Sequence, residues 1–219
     1  MKNYKYIFLD LDGTLTDPAE GITNSIMYSL KKFDIEVSDR TKLYKFIGPP
    51  LIDSFKEFYG FEQEKALKAV EYYREYFNVD GLYENKMYEG IEEVLKTLKL
   101  AGKTLVLATS KPEKFAKIIL EHFGLIQYFD YVAGATMDGK INYKHEVIEH
   151  ALNMCNQPDI SQIIMIGDRK FDILGAKQFG IDSMGVLYGY GNKEELDEAG
   201  ADYIVNTPEE ILKILVWEY

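Results

Sequence analysis

Cysteine is nearly absent from this 219-residue sequence, in which Cys155 is the single example. One cysteine cannot form a disulfide within the chain, so the fold has to be stable without such a cross-link. Proteins without disulfides are typical of reducing compartments. We therefore predict a cytoplasmic location.

Long hydrophobic runs are also missing. No stretch longer than ten residues is free of charged side chains, whereas a membrane-spanning helix needs about 20 apolar residues. The apolar run near the start, Tyr6–Leu9, is too short for the core of a signal peptide. We expect no membrane partner.

Positive charge is in short supply. The chain has 25 Lys and Arg residues against 36 Asp and Glu residues, a formal net charge of −11, which argues against a nucleic-acid backbone as a partner. Disorder is excluded as well, because 47% of the residues are hydrophobic and can form a core. The length suits one large domain or a domain with an insertion.

Short apolar runs alternate with helical patterns along most of the chain. Runs of this kind are typical of strands buried on both faces; they are Tyr4–Leu9, Thr104–Ala108, Tyr131–Ala133, Ile163–Ile166 and Ser183–Leu187. The helical patterns are Gly90–Leu100, Glu113–Phe123, His145–Cys155, Phe171–Phe179 and Pro208–Val216. Strict alternation predicts an α/β fold with a doubly wound parallel sheet.

One segment, from about residue 20 to residue 80, shows no strand pattern. It contains three helical candidates, Ile22–Phe33, Leu51–Tyr59 and Glu62–Phe77. Its flanks, Asp17-Pro18 and Gly81 to Gly90, have the composition of connectors. We predict a core domain of residues 1–16 and 84–219, into which residues 17–83 are inserted as a helical cap.

Polar residues follow three of the predicted strands and open one of the helices. Since ligands bind at the carboxyl ends of strands in open α/β sheets, we expect these residues to meet in one crevice: Asp10, Asp12, Thr109, Ser110, Asp168, Asp172 and Lys144. Carboxylates clustered without Cys or His favour Mg²⁺. Magnesium with an amine and a hydroxyl is typical of a phosphate site. One carboxylate can act as nucleophile and a second, two residues on, as general acid and base.

These residues resemble the signatures of the haloacid dehalogenase superfamily. Asp10-Leu11-Asp12-Gly13-Thr14-Leu15-Thr16-Asp17 resembles its first motif, DxDGTLxD, and Gly167-Asp168-Arg169-Lys170-Phe171-Asp172 resembles its fourth, GDxxxD. Thr109 is similar to the second motif and Lys144 to the third. The motifs occur in family order, and the resemblance covers essentially the whole chain. The inserted cap resembles the C1-capped branch, which includes phosphoglycolate phosphatases, β-phosphoglucomutases and some nucleotidases.

The resemblance implies a role for each matching residue. Asp10 is expected to be the nucleophile and a Mg²⁺ ligand. Asp12 is expected to be the general acid and base, and to bind the metal through its backbone carbonyl. Thr109 and the Ser110 amide are expected to bind phosphoryl oxygens, and Lys144 to neutralise charge. Two further metal-site residues complete the set, Asp168 and Asp172.

The third motif has other candidates in this sequence. Lys140 and Lys111 also lie near the predicted loops, but Lys144 is preferred because it opens a helix, as in the family. Substrate contacts are expected from the cap, where Phe46–Leu51 has the position of the family's specificity loop. Gly48 in that loop and Arg40 before it are the candidate substrate-binding residues.

The function predicted is hydrolysis of a small phosphorylated metabolite, such as phosphoglycolate or a nucleoside monophosphate, through an aspartyl-phosphate. A sugar-phosphate mutase of the same fold is an alternative, which would have to shield the intermediate from water. A non-hydrolytic signalling phosphoacceptor is a third hypothesis. Asp12, which would speed hydrolysis, and the cap, which receiver domains lack, argue against it. The oligomeric state stays open.

Overall fold

The computed structural model of the protein describes residues 2–216. The chain divides into two compact units. The first, which we call the α/β unit, comprises Met1–Thr16 and Met87–Tyr219, and the second, the helical unit, comprises Asp17–Lys86.

Eight strands are present in the described residues. They are β1 (Tyr6–Leu9), β2 (Thr16–Asp17), β3 (Lys86–Met87), β4 (Thr104–Pro112), β5 (Tyr131–Ala135), β6 (Ile163–Gly167), β7 (Asp182–Val186) and β8 (Tyr203–Val205). Six form one parallel sheet in the order β5-β4-β1-β6-β7-β8. The chain passes between the units at β2 and β3, which form a separate two-stranded sheet.

The helical unit contains three α-helices, α1 (Ala19–Lys31), α2 (Leu51–Tyr59) and α3 (Gln63–Tyr76), a 3-10 helix (Arg40–Phe46) and a π-helix (Phe77–Gly81). Helix α3 packs against both α1 and α2. Aromatic rings fill part of this core: Phe55 stacks on Phe61 and meets Phe46 edge-on. The expectation of an all-helical insertion with no strand between residues 20 and 80 is confirmed.

The α/β unit carries the other helices. They are α4 (Ile91–Leu100), α5 (Glu113–His122), α6 (Lys144–Met154), α7 (Lys170–Lys177), α8 (Lys193–Ala199) and α9 (Pro208–Leu215), with short 3-10 helices at Ile126–Tyr128 and Ile160–Gln162. Helix α6 packs on β4, β5 and α7, whereas α4 packs on β4 and α9. In the described residues no helix is long and apolar enough to cross a membrane.

The central strands are buried on both faces, as their unbroken apolar sequences predict. Ile7, Phe8 and Leu9 of β1 expose at most 1% of their surface. Alternate side chains of β1 therefore contact different helix layers, and the predicted doubly wound α/β fold is confirmed.

Several elements differ from the sequence prediction. Strand β4 continues beyond Ala108 to Pro112, with an irregular register between Thr109 and Pro112. Strand β1 begins at Tyr6 rather than Tyr4, and β8, which has three residues, was not predicted. The first difference matters for function, because it puts Thr109, Ser110 and Lys111 within the end of a strand.

Candidate active site

The site lies where the sheet reverses its winding. Strand β1 sits between β4 and β6, and the chain continues outward from β4 to β5 on one side and from β6 to β8 on the other. At such a switch point the loops following neighbouring strands separate and leave a crevice. The residues after β1, β4 and β6 therefore meet at one edge of the sheet.

A tight turn after β1 presents two carboxylates. The backbone N–H of Asp10 donates to the Ile166 carbonyl, at 2.9 Å, which ties the turn to β6. The chain then folds back, and the Leu11 carbonyl accepts three N–H groups, from residues 14 to 16. Gly13 has a φ of 83°, and a Cβ atom at this position would collide with the Asp168 carboxylate. Glycine is thus required at position 13 for two reasons: the backbone has a positive φ, and there is no room for a side chain.

Three carboxylates converge at this edge. Oxygen atoms of Asp10, Asp168 and Asp172 lie within 4.8 Å of one another, and all three residues are buried. The Tyr190 N–H donates to Asp168 Oδ2 at 2.7 Å, whereas Asp168 Oδ1 is buried without a hydrogen-bond partner among residues 2–216. Closely spaced hard oxygen donors, one of them unpaired, suit Mg²⁺.

Burial and mutual repulsion raise the pKa values of two of these carboxylates, Asp168 and Asp172. Burial raises the pKa of Asp168 well above its ordinary value, and Asp172 and Asp10 raise it further. Burial also raises the pKa of Asp172 to about 6, although Lys144 opposes the change. Like charges gathered away from water disfavour ionisation. A divalent cation would relieve this repulsion, so the donor set fits a metal.

Lys144 forms the centre of the buried charge network. Its Nζ lies 2.8 Å from Asp10 Oδ1 and 2.7 Å from Asp172 Oδ1, and it donates to the Ala108 carbonyl at 2.9 Å. Burial lowers the pKa of Lys144, but Asp10 and Asp172 outweigh burial and raise that pKa above its ordinary value. The two carboxylates therefore favour the charged form of the amine beside Asp10. Lys140, by contrast, is 83% exposed and pairs with Asp138.

Asp12 has a different cation as its partner. Its Oδ2 lies 2.6 Å from Lys111 Nζ, with the two side chains 13% and 6% exposed. Burial raises the pKa of Asp12, while Lys111 opposes that shift. The sequence prediction considered Lys111 only as an alternative to Lys144. Its position two residues after Thr109 was the signal that could have placed it near the site, although not its pairing with Asp12.

The second-motif residues lie at the end of β4, beside β1. Thr109 is 1% exposed, and its hydroxyl accepts the Lys111 N–H at 3.2 Å. Ser110 is half-buried. A buried hydroxyl and a nearby backbone amide at the edge of a sheet are groups that can bind the oxygens of an anion.

A loop after β7 also contributes, and the sequence prediction did not assign it a role in the site. The Tyr188 hydroxyl donates to the Thr14 carbonyl at 3.0 Å, and Tyr190 binds Asp168 through its backbone. A Cβ atom on Gly189 would collide with the Gly13 carbonyl and with Asp168. The signal that could have identified this loop is the sequence Tyr-Gly-Tyr-Gly shortly after the carboxyl end of a strand.

The structure thus gathers seven predicted residues within the α/β unit: Asp10, Asp12, Thr109, Ser110, Lys144, Asp168 and Asp172. The two candidate substrate-binding residues belong to the helical unit. Arg40 opens the 3-10 helix, and its Nη2 donates to Asn24 Oδ1 at 2.7 Å. Gly48 has a φ of 108° in the bend before α2.

The comparisons with known proteins agree on one family. The model for haloacid dehalogenase-like hydrolases matches residues 6–186. A 5′-nucleotidase of Pseudomonas aeruginosa is 45% identical over 193 residues, 88% of this chain and 87% of that protein. A phosphoglycolate phosphatase of Vibrio parahaemolyticus is 27% identical, over 98% of this chain and 97% of its own length.

Other relatives carry different names. The tyrosine-protein kinase PtkA of Mycobacterium tuberculosis is 36% identical over 91% of this chain and 68% of that protein. The crystal structure of a predicted phosphatase from Clostridium acetobutylicum superposes with a TM-score of 0.94, at 53% identity, and covers 96% of this chain and 97% of that one. The sequence and structure comparisons therefore agree on the fold and on the hydrolase family over most of the chain.

Proposed function

Because this chain belongs to the haloacid dehalogenase-like hydrolase family and is a phosphatase of that family, we propose that it hydrolyses small phosphate monoesters in a Mg²⁺-dependent reaction through an aspartyl-phosphate on Asp10. The observation that supports this most strongly is the buried cluster of Asp10, Asp168 and Asp172, in which Lys144 pairs with Asp10 and Asp172. It combines a carboxylate nucleophile with the positive charge that a phosphoryl group needs.

In the first half of the proposed reaction a carboxylate oxygen of Asp10 attacks phosphorus. The bond to the leaving oxygen breaks, and Asp12 gives that oxygen a proton. The Thr109 hydroxyl and the Ser110 N–H donate to phosphoryl oxygens, while Lys144 balances the charge of the nucleophile and the phosphoryl group. Fixed donors of this kind act by stabilising charge that develops in the transition state.

In the second half Asp12 acts as a base. It takes a proton from a water molecule, whose oxygen attacks phosphorus and releases inorganic phosphate and free Asp10. Four residues are proposed to hold the metal: Asp10, Asp168 and Asp172 through carboxylates, and Asp12 through its backbone carbonyl. Mg²⁺ bound there would stabilise the negative charge of the phosphoryl oxygens and cancel the repulsion among the carboxylates.

For the substrate, we propose a nucleoside 5′-monophosphate first and phosphoglycolate second. The higher identity of the 5′-nucleotidase supports that order. Arg40 and Gly48 of the helical unit are proposed to contact the leaving group. Cys155, buried and without a disulfide partner, supports our proposal of a reducing, cytoplasmic location.

The test is phosphate release from a panel of nucleoside monophosphates, phosphoglycolate, sugar phosphates, phosphotyrosine and p-nitrophenyl phosphate, with Mg²⁺ and with EDTA. We expect multiple turnovers with Mg²⁺, none with EDTA, and none for Asp10→Asn, because an amide is a poor nucleophile. The matched control is Asp138→Asn, which makes the same chemical change at an exposed residue outside the site and should keep full activity.

Each competing function has its own outcome in this assay. A mutase would convert sugar phosphates into isomers and release little phosphate. A phosphoacceptor would incorporate one phosphoryl group and stop. Substantial turnover by a folded Asp10→Asn protein would exclude the proposed mechanism.

A further inference from the structure

Asp12, the proposed general acid and base, is held by one cation from another strand. Lys111 Nζ lies 2.6 Å from Asp12 Oδ2, and both side chains are largely shielded from water. Buried ion pairs keep a defined geometry, because few water molecules compete for either partner. The orientation of the Asp12 carboxylate therefore depends on Lys111.

The backbone of Lys111 is itself fixed. The irregular register of β4 between Thr109 and Pro112 re-aims this part of the strand. The Lys111 N–H donates to Thr109 Oγ1 at 3.2 Å. On the β5 side, a Cβ atom on Gly134 would come within 2.8 Å of the Lys111 carbonyl oxygen, so the two backbones are in close contact. The backbone that carries the Lys111 side chain is therefore fixed in position.

The two oxygens of Asp12 have different surroundings. Oδ2 accepts from Lys111, whereas Oδ1 is buried and accepts no hydrogen bond in the part of the chain that the structure describes. A buried oxygen without a partner destabilises the folded protein. A catalytic role is one explanation for such an oxygen. Oδ1 is the oxygen left available for that exchange.

We propose that Lys111 is a positioning residue, which holds Oδ2 so that Oδ1 faces the reacting oxygens. The proposal rests on the proposed function, in which Asp12 is the general acid and base. As the Asp10–phosphorus bond forms and the bond to the leaving oxygen breaks, the proton on Oδ1 moves to the leaving oxygen. When the oxygen of a water molecule attacks phosphorus, one water proton passes to Oδ1, the Asp10–phosphorus bond breaks and inorganic phosphate departs. Lys111 takes no part in the proton transfer.

This proposal differs from two other roles for a buried lysine. A lysine that binds the phosphoryl group directly would contribute to the affinity for phosphate whether or not Asp12 is present. A lysine that only stabilises the fold would affect esters with good and poor leaving groups alike. Positioning of a general acid predicts an effect that requires Asp12 and increases with the need to protonate the leaving oxygen.

The experiment is a double-mutant cycle with Lys111→Met and Asp12→Asn, singly and together, in the full chain with Mg²⁺. The probes are phenyl phosphate and p-nitrophenyl phosphate, which differ in how much their leaving groups need a proton. The rate of aspartyl-phosphate formation is measured in single turnovers. The inhibition constant of inorganic phosphate is measured in parallel.

We expect Lys111→Met to slow formation from phenyl phosphate about tenfold or more, with a smaller loss for p-nitrophenyl phosphate, since only part of the acid–base contribution is removed. In the Asp12→Asn background the same substitution should change the rate by less than about twofold, because coupled residues are not additive. Inhibition by phosphate should be unchanged. Lys111→Arg, which keeps the cation, should restore part of the rate.

Equal losses from Lys111→Met in both backgrounds, equal losses for both esters, or weaker phosphate inhibition would overturn the positioning role. If circular dichroism shows that Lys111→Met does not fold, Lys111→Gln takes its place in the cycle. Failure of the proposed function has a different signature: the wild-type chain would release no phosphate from either ester, or Asp12→Asn would leave both rates unchanged.

Discussion

At the scale of single residues, Asp10 and Asp12 pair with different lysines. Lys144 contacts Asp10 and Asp172, and Lys111 contacts Asp12. Two neighbouring carboxylates thus have different environments, although they are two residues apart in the chain. Groups of the same type with different environments can take different chemical roles.

The role of Asp12 can be tested by its leaving-group dependence. Asp12→Asn preserves the shape of the side chain and the backbone carbonyl but removes the proton donor. We expect turnover of phenyl phosphate to fall by about 10²–10⁴-fold. Aspartyl-phosphate formation from p-nitrophenyl phosphate should fall less, because its leaving group needs little protonation. Equal loss of the formation rate with both esters would show that another group is the acid.

At the scale of elements, hydrogen bonds at the start of α6 fix the backbone position of Lys144. The Glu146 carboxylate accepts the backbone N–H groups of Asn142 and Tyr143, at 2.7 and 2.9 Å. These two bonds close the loop onto the first turn of the helix that begins with Lys144. Hydrogen bonds of this capping type stabilise a helix start.

Glu146→Ala should therefore lower the free energy of unfolding by about 1 kcal/mol at neutral pH. The hydrogen bonds from Tyr143 and Asn142 lower the pKa of Glu146, so its contribution is complete above the unfolded-state pKa. It is lost as the pH falls through the lower, folded-state pKa. Urea unfolding from about pH 7 down to about pH 3 measures this difference.

The matched control is Glu149→Ala, which removes an exposed glutamate from the same helix. It should change the free energy of unfolding much less than Glu146→Ala at neutral pH. Equal destabilisation by the two substitutions, or a Glu146→Ala effect that is constant over the whole pH range, would contradict the capping role.

At the scale of the whole molecule, the sequence was sufficient for the fold class and the family. Unbroken apolar runs such as Ile163–Ile166, in alternation with helical patterns, predicted buried strands, and the prediction of a doubly wound sheet is confirmed. Likewise, the family suggested by the motifs is confirmed, over residues 6–186. These features depend on local patterns, which a sequence displays directly.

Other features depend on contacts between distant segments. The pairing of Lys111 with Asp12 joins residues 99 positions apart, and Tyr188 reaches Thr14 across 174 positions. Strand β8 has three residues, too few for a periodic pattern. Such contacts follow from the register of the sheet and the path of its loops, so spacing along the chain could not specify them.

Metal binding should also be visible in the stability of the whole α/β unit. A ligand that binds only the folded state, at about 100 times its Kd, adds about 2.7 kcal/mol, which raises the Tm of a chain this size by several degrees. We expect Mg²⁺ to raise the Tm of the wild type but not that of Asp168→Asn. Scanning calorimetry with and without EDTA measures both.

Asp138→Asn is the control for this measurement. It makes the same change at an exposed residue that pairs with Lys140, so its Tm should still rise with Mg²⁺. A rise of the wild-type size in Asp168→Asn, or no rise in the wild type, would exclude the proposed metal site.

The most direct test of the central claim is chemical detection of the phosphoryl group on Asp10. Asp12→Asn should slow hydrolysis of the intermediate more than its formation from p-nitrophenyl phosphate. This variant, incubated with ³²P-labelled p-nitrophenyl phosphate and Mg²⁺ and then quenched in acid, should carry a hydroxylamine-sensitive label on the peptide that contains Asp10. Asp10→Asn in the same background should carry none. A label on another residue, or an active enzyme that never acquires a label, would contradict the mechanism.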